Sequence, residues 1–197
     1  MPDFLYSHSV QTIGDMRRHP LEKFAYCPVC GSGAFGVNDD KSCRCGSCGF
    51  VYYLNPSAAY VAFITDGEGR LLVERRAMEP AKGTFDLPGG FADIGETAGE
   101  GVAREVLEET GLVVTGVEFL FSLPNVYLYS GLEIPTLDMF FRCRVDDLTT
   151  LKAADDAADC FWVAPQDINA VDFGLRSVSQ GVGRFLNLHQ NGEIQYY

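Results

Sequence analysis

The sequence has no apolar run near the ~20 residues needed to cross a bilayer. The longest, Ala58 to Ile64, is only strand length. No helical membrane span is expected. Cations are scarce: 15 Lys and Arg stand against 27 Asp and Glu, for a net charge of -12. An average field of that sign repels a polyphosphate strand and disfavours a generic nucleic-acid binder. It leaves room for a small phosphorylated ligand, because a bound divalent cation reverses the sign locally. The stretch Met1-Pro-Asp-Phe4 lacks a basic-then-apolar signal pattern, so the expected compartment is the cytosol. Internal repeats and low-complexity tracts are also missing. The three histidines, His8, His19 and His189, lie outside every motif and read as surface residues.

What remains is ordinary globular composition: 197 residues, 47% hydrophobic and 21% charged. That suffices for one real core plus an appendage. Residues 1–23 carry weak pattern. Residues 24–55 hold five of the seven cysteines in a Gly- and Ser-rich stretch too short to bury its own core, with one strand expected at Val51–Leu54. From residue 56 to 197, strands alternate with helices. Strands are expected at Ala59–Thr65, Leu71–Arg75, Phe85–Leu87, Val113–Phe121, Tyr127–Tyr129, Leu137–Val145 and Phe161–Val163. Helices are expected at about Ala98–Thr110 and Leu175–His189, and a loop or short helix over Asp146–Asp159. This order predicts an α/β fold with a mixed sheet between helices.

Cys27-Pro-Val-Cys30 and Cys45-Gly-Ser-Cys48 are two C-x-x-C pairs separated by 14 residues. Each tight turn presents two thiolates, and four together suit a tetrahedral Zn²⁺. Gly31 and Gly49 let the backbone turn under the ion. With four sulfur ligands the site has no open position, so its role is structural. Cys43 is expected to pack nearby, and Cys143 and Cys160 to lie in the core. The segment resembles a zinc ribbon.

The second motif runs from Gly90 to Leu112. Thr97 and Glu100 form a capping box that starts a helix, and Gly111 sits where the helix would end. At ~100° per residue, with Arg104 at zero, Glu108 lies near ~40°, Glu105 near ~100° and Glu109 near ~140°. Val102, Ala103, Val106, Leu107 and Thr110 occupy the remaining, apolar face. Three carboxylates and one guanidinium thus share about two turns. Like charges four apart repel, and a divalent cation removes the conflict by binding both. Gly99 and Gly101 argue against a helix built only for stability.

Gly90, Glu96, Arg104-Glu105-Val106, Glu108-Glu109 and Gly111-Leu112, at their spacing, resemble a complete Nudix box. The flanking Phe85–Phe91 and Asp159–Val163 resemble the strands around that box. The resemblance covers about residues 56–190. It implies an α/β/α sandwich with a mixed sheet, and hydrolysis of a nucleoside diphosphate linked to another moiety. It also implies that Glu105, Glu108 and Glu109, with the Gly89 carbonyl, hold Mg²⁺ or Mn²⁺. Arg104 would orient the glutamates, Glu96 would brace the loop, and the base would be Glu105 or an acid among Asp155, Asp156 and Asp159. A homodimer is plausible on the same resemblance.

A zinc ribbon before a Nudix domain is similar to the architecture of NADH pyrophosphatases. Those carry Ser-Gln-Pro-Trp-Pro-Phe-Pro after the box, where this chain has Phe121-Ser-Leu-Pro-Asn-Val-Tyr127. The likeness is therefore one of architecture. Phe85, Tyr127 or Tyr129 could stack a planar group, and Asn125 could read a base edge; core packing is the alternative for each ring. ADP-ribose, NADH, FAD and dinucleoside polyphosphates are all candidate substrates. The rival readings are a sensor that binds such a metabolite without cleaving it, and activity on capped RNA ends.

Overall fold

A computed structural model describes residues 19–152 and 157–193. The chain divides into two compact units at Asn55/Pro56. Among the described residues, no helix is long and apolar enough to cross a membrane.

The first unit is an antiparallel sheet of β1 (Phe35–Asp39), β2 (Ser42–Cys45) and β3 (Val51–Tyr53). Only β3 was expected from pattern. β1 and β2 alternate poorly, and their pairing is set by the cysteine turns on either side. The buried core is small: Leu21, Cys27, Phe35, Cys43 and Cys45. Leu21 belongs to a stretch whose sequence suggested no role, and it is 1% exposed here.

The second unit has three layers. β4 (Ser57–Phe63) pairs parallel with β8 (Leu132–Val145), which pairs antiparallel with β7 (Val114–Tyr129). β5 (Leu71–Arg76) lies between β6 (Phe85–Asp86) and β9 (Ala157–Val163), antiparallel to both. The Leu72 N–H donates to the Ile64 carbonyl at 2.9 Å and ties the two sheets together. Alternate residues feed opposite layers, as strand geometry requires. Tyr60, Ala62, Ile64 and Leu72 pack with Val102 and Val106 of α1 (Ala98–Thr110). Val61, Phe63, Leu71 and Val73 pack with Val178, Val182 and Phe185 of α2 (Arg176–Gln190).

Two strand expectations need correction. β7 is one 16-residue strand, not two pieces broken near Pro124. Among the described residues it pairs with β8 alone, so it is an edge strand, the place in a sheet where proline is tolerated. β9 begins at Ala157, inside the stretch expected as loop or short helix. Its register against β5, from Leu71↔Val163 to Arg76↔Ala157, is a tertiary pairing that local propensity does not reveal.

Helix α1 has both capping-box bonds at Thr97 and Glu100, and its cap residue Gly111 has φ 70°. Its buried face is Gly101, Val102, Val106, Glu109 and Thr110. Leu107, expected on the buried side, is 50% exposed. The buried arc is rotated toward Glu109, so the helix puts an acid where pure amphipathicity would put a leucine.

Gly101 is explained by contact: a Cβ there would meet the Tyr60 ring at 2.1 Å. Gly101→Ala is expected to destabilise by about 1–3 kcal/mol. Gly99→Ala, with nothing within 4 Å of the new methyl, should add up to ~1 kcal/mol. Urea unfolding of both variants checks the contrast.

Candidate active site

The loop after β6 runs alongside β4. Ala62 and Tyr60 donate their N–H groups to the carbonyls of Pro88 and Gly90, each at 2.8 Å. Gly89 allows this approach, because a Cβ there would lie 2.0 Å from the Tyr60 carbonyl oxygen. A Cβ at Gly90 would lie 2.5 Å from Glu105 Oε1. The two glycines therefore let the loop backbone and the acids of α1 share one space. The Gly89 N–H donates to Glu109 Oε2 at 2.8 Å.

Arg104 fixes the remaining box residues. Its Nε and Nη2 donate to the two oxygens of Glu96 at 3.0 and 2.9 Å. Its Nη1 donates to Glu105 Oε1 at 2.9 Å and to Glu108 Oε2 at 3.0 Å. Nη2 also reaches the Phe91 carbonyl at 3.2 Å. Glu96 accepts the Asp93 N–H at 2.7 Å, which ties the loop to the helix. These bonds raise the Arg104 pKa and hold the Glu96 carboxyl below its ordinary range.

Above this loop lies a cavity of about 350 Å³. Its acids are Glu74, Asp86, Glu105, Glu108 and Glu109, together with Asp138. Burial, then the charge of Glu74, pushes Glu109 up to about 10. Burial, then Asp86, pushes Glu74 up to about 8. Glu105 is raised by burial against the pull of Arg104. Asp86 is raised by burial against its pairing with Arg76, the one arginine or lysine among the cavity's lining residues.

Folding therefore forces several carboxyls into a space that disfavours their charge, and an all-oxygen set of this kind suits a hard divalent cation. Among the described residues, the four thiols form a group of ligand atoms all within 4.8 Å of one another, and no three of the cavity acids do.

These shifts set a pH dependence. Glu74 and Glu109 have folded values above the ordinary 4.5, so the folded state keeps protons that the unfolded chain has released. Their contribution is whole below about pH 4.5. It is lost as pH rises through about 8 and then about 10. In Mg²⁺- and Mn²⁺-free buffer, Tm should fall between about pH 6 and about pH 9, and added Mg²⁺ should raise Tm more at the alkaline end. Thermal melts at the two pH values check it.

Glu105, Glu108, Glu109, Gly89, Asn125 and Tyr127 all line the cavity, and Arg104 touches two of those acids. Phe85 does not join them. Its ring packs edge-to-face on Phe161 at 5.2 Å and Phe173 at 6.0 Å, under the Arg75 guanidinium at 5.1 Å, so packing and not stacking on a ligand explains it. Tyr129 is exposed near the hairpin end. Asp155 and Asp156 lie outside the described residues, and Asp159 is exposed on β9 opposite Arg75. Sequence reasoning missed Glu74, Arg76, Asp86 and Asp138. The available signal for Glu74 was a lone acid in the apolar strand Leu71-Leu-Val-Glu74, where solvation is denied.

In the ribbon unit, Cys27 and Cys48 Sγ lie 3.7 Å apart, and Cys30 and Cys45 Sγ 3.6 Å apart. Tetrahedral Zn²⁺ with Zn–S of about 2.3 Å requires S···S of about 3.8 Å, so the four thiols fit zinc. Gly31 and Gly49 have φ of 71° and 79°. Cys43 is buried in the core, its Sγ 4.0 Å from His19 Nδ1, and stands outside the four-sulfur group.

The NUDIX domain family profile matches residues 55–180. The chain belongs to the Nudix family. Two curated Nudix-region relatives are the NAD-capped RNA hydrolase NudC of Vibrio cholerae and the ADP-ribose pyrophosphatase of Methanocaldococcus jannaschii. The first is 29% identical over 106 residues, covering 54% of this chain and 39% of that protein. The second is 48% identical over 61 residues, covering 31% and 36%. The chain thus spans about two fifths of the length of these relatives. A solved NUDIX hydrolase from Nitrosomonas europaea superposes with a TM-score of 0.67 over 87% of this chain and 96% of its own, at 24% identity. That likeness is one of fold.

Proposed function

We propose that this Nudix chain is a metal-dependent pyrophosphohydrolase. It cleaves the phosphoanhydride of a nucleoside diphosphate joined to another moiety and releases a nucleoside monophosphate. The observation that carries the reading is a set of charge-disfavoured carboxyls, buried Glu74 and Glu109 with half-buried Glu105, lining one ligand-sized cavity.

Glu105, Glu108, Glu109 and the Gly89 carbonyl would hold Mg²⁺ or Mn²⁺. A cation held by these residues would supply charge neutralisation at the anhydride and a more acidic water. Arg104 sets the rotamers of Glu105 and Glu108, and the Gly89 N–H sets that of Glu109. Glu105, which lines the cavity, would accept the proton of the attacking water through a carboxylate oxygen. The water oxygen joins one phosphorus, and the bridging oxygen leaves with the other phosphate. Asn125 and Tyr127 line the wall where a ring would sit. The four cysteines would hold a structural Zn²⁺.

The relatives' activities make ADP-ribose and NAD-capped RNA ends the first substrates to try, with NADH, FAD and diadenosine polyphosphates beside them. Each is incubated with Mg²⁺ or Mn²⁺, and AMP is quantified. Metal-dependent AMP release from one of them is expected. Tight binding without turnover would replace the hydrolase by a sensor.

A further inference from the structure

On one face of the β7–β8 pair, polar side chains meet inside the cavity. Asn125 and Tyr127 alternate with exposed Val126, and Thr136 and Asp138 alternate with exposed Leu137. Asn125 stands directly opposite Thr136 in the register. Asp138 is 5% exposed and accepts three bonds: from Asn125 Nδ2 at 3.0 Å, Thr136 Oγ1 at 2.5 Å and Ser177 Oγ of α2 at 2.5 Å. The hydroxyl contacts lie in the range of O–H···O⁻ bonds. An ionised carboxylate only accepts.

This fixes what the wall presents. The Asn125 amide must turn its NH₂ to Asp138, leaving Oδ1 as its other end, and among the described residues nothing donates to that oxygen. The single hydroxyl hydrogen of Thr136 is likewise committed, so Oγ1 has only lone pairs to offer. Beside this acceptor-only patch, Phe91 and Tyr127 meet edge-to-face at 5.5 Å, and both line the cavity. The Tyr127 hydroxyl is held by Arg76 Nη2 at 3.5 Å.

We propose that Asp138, acting through Asn125 and Thr136, makes this wall a reader of an exocyclic amino group on a planar ring, so that the cavity takes an adenine-type nucleotide and rejects its hypoxanthine-type counterpart. The inference rests on the reading of the cavity as a nucleoside diphosphate site. An amino group brings hydrogens to Oδ1. An oxo group at the same place brings lone pairs and leaves both partners unpaired, a loss of about 10-fold or more in affinity. Asp138 is a positioning residue here, since it acts by locking the Asn125 amide.

The test compares ADP with IDP by calorimetry in Mg²⁺, and ADP-ribose with its inosine analogue by kcat/KM. Wild type, Asp138→Asn and Asn125→Leu are measured. Wild type should favour the adenine member by about 10-fold or more, and each variant should bring the ratio below about threefold. Asn125→Leu, half-buried on an edge strand, carries the test if Asp138→Asn fails to fold, as judged by circular dichroism. Equal affinities in wild type, or a ratio unchanged in the folded variants, would overturn the proposal. A preference for ADP without cleavage of any anhydride keeps this inference and removes the hydrolase. Equal cleavage of both sugars does the reverse, and failure to bind either nucleotide overturns both.

Discussion

Glu109→Gln is expected to lower kcat/KM on the cleaved nucleotide by more than ~100-fold, since even residues one step removed from a metal cost ~10–100-fold. The substitution preserves shape. A glutamine carbonyl can still accept the Gly89 N–H that now reaches Glu109 Oε2 at 2.8 Å. What disappears is the negative charge, and with it the proposed metal ligand. The folded protein should not suffer, because Glu109 is 8% exposed and its ionisation is already resisted by burial and by Glu74. Tm should hold or rise, most clearly at alkaline pH, while turnover collapses. That opposition separates loss of a ligand from loss of the fold. Activity within a fewfold of wild type would remove Glu109 from the metal site.

The second large effect is on stability. Cys27→Ser should release zinc and unfold the ribbon unit, because structural zinc contributes on the order of 10–16 kcal/mol in small domains. The buried core of that unit is five residues, and two of them, Cys27 and Cys45, belong to the four-cysteine group. Leu21 and Phe35 alone cannot replace the staple. Residues 56–197 have their own two core clusters, so anhydride cleavage should persist in whatever protein remains folded. Zinc content by atomic absorption, read beside circular dichroism, checks it. Freshly purified wild type without zinc would refute the assignment.

The features legible in the sequence were those fixed by local chemistry. Helix α1 was readable at both ends because Thr97, Glu100 and Gly111 cap it within a few residues. The cysteine turns were readable because each pair closes over two intervening residues. Long-range pairings were not. Nothing near Pro124 announces a continuous edge strand, and nothing in Asp146–Asp159 announces β9. The same division holds for the site. The acids of one helix could be placed by angle alone. Glu74 and Asp138 reach the cavity from other strands, and only the sheet register brings them there. Phe85 failed as a stacking candidate for the complementary reason: an aromatic beside a motif is also a good core residue, and Phe161 and Phe173 claim it.

On the proposed reading, the helix acids grip a hard cation against the Gly89 loop. A crystal grown with Mn²⁺ and measured at the manganese edge tests it without reference to turnover. An anomalous peak is expected, bounded by carboxylate oxygens of Glu105 and Glu109 and by the Gly89 carbonyl, and no such peak in Glu109→Gln. Manganese bound elsewhere, with these acids still held apart in the wild type, would contradict it.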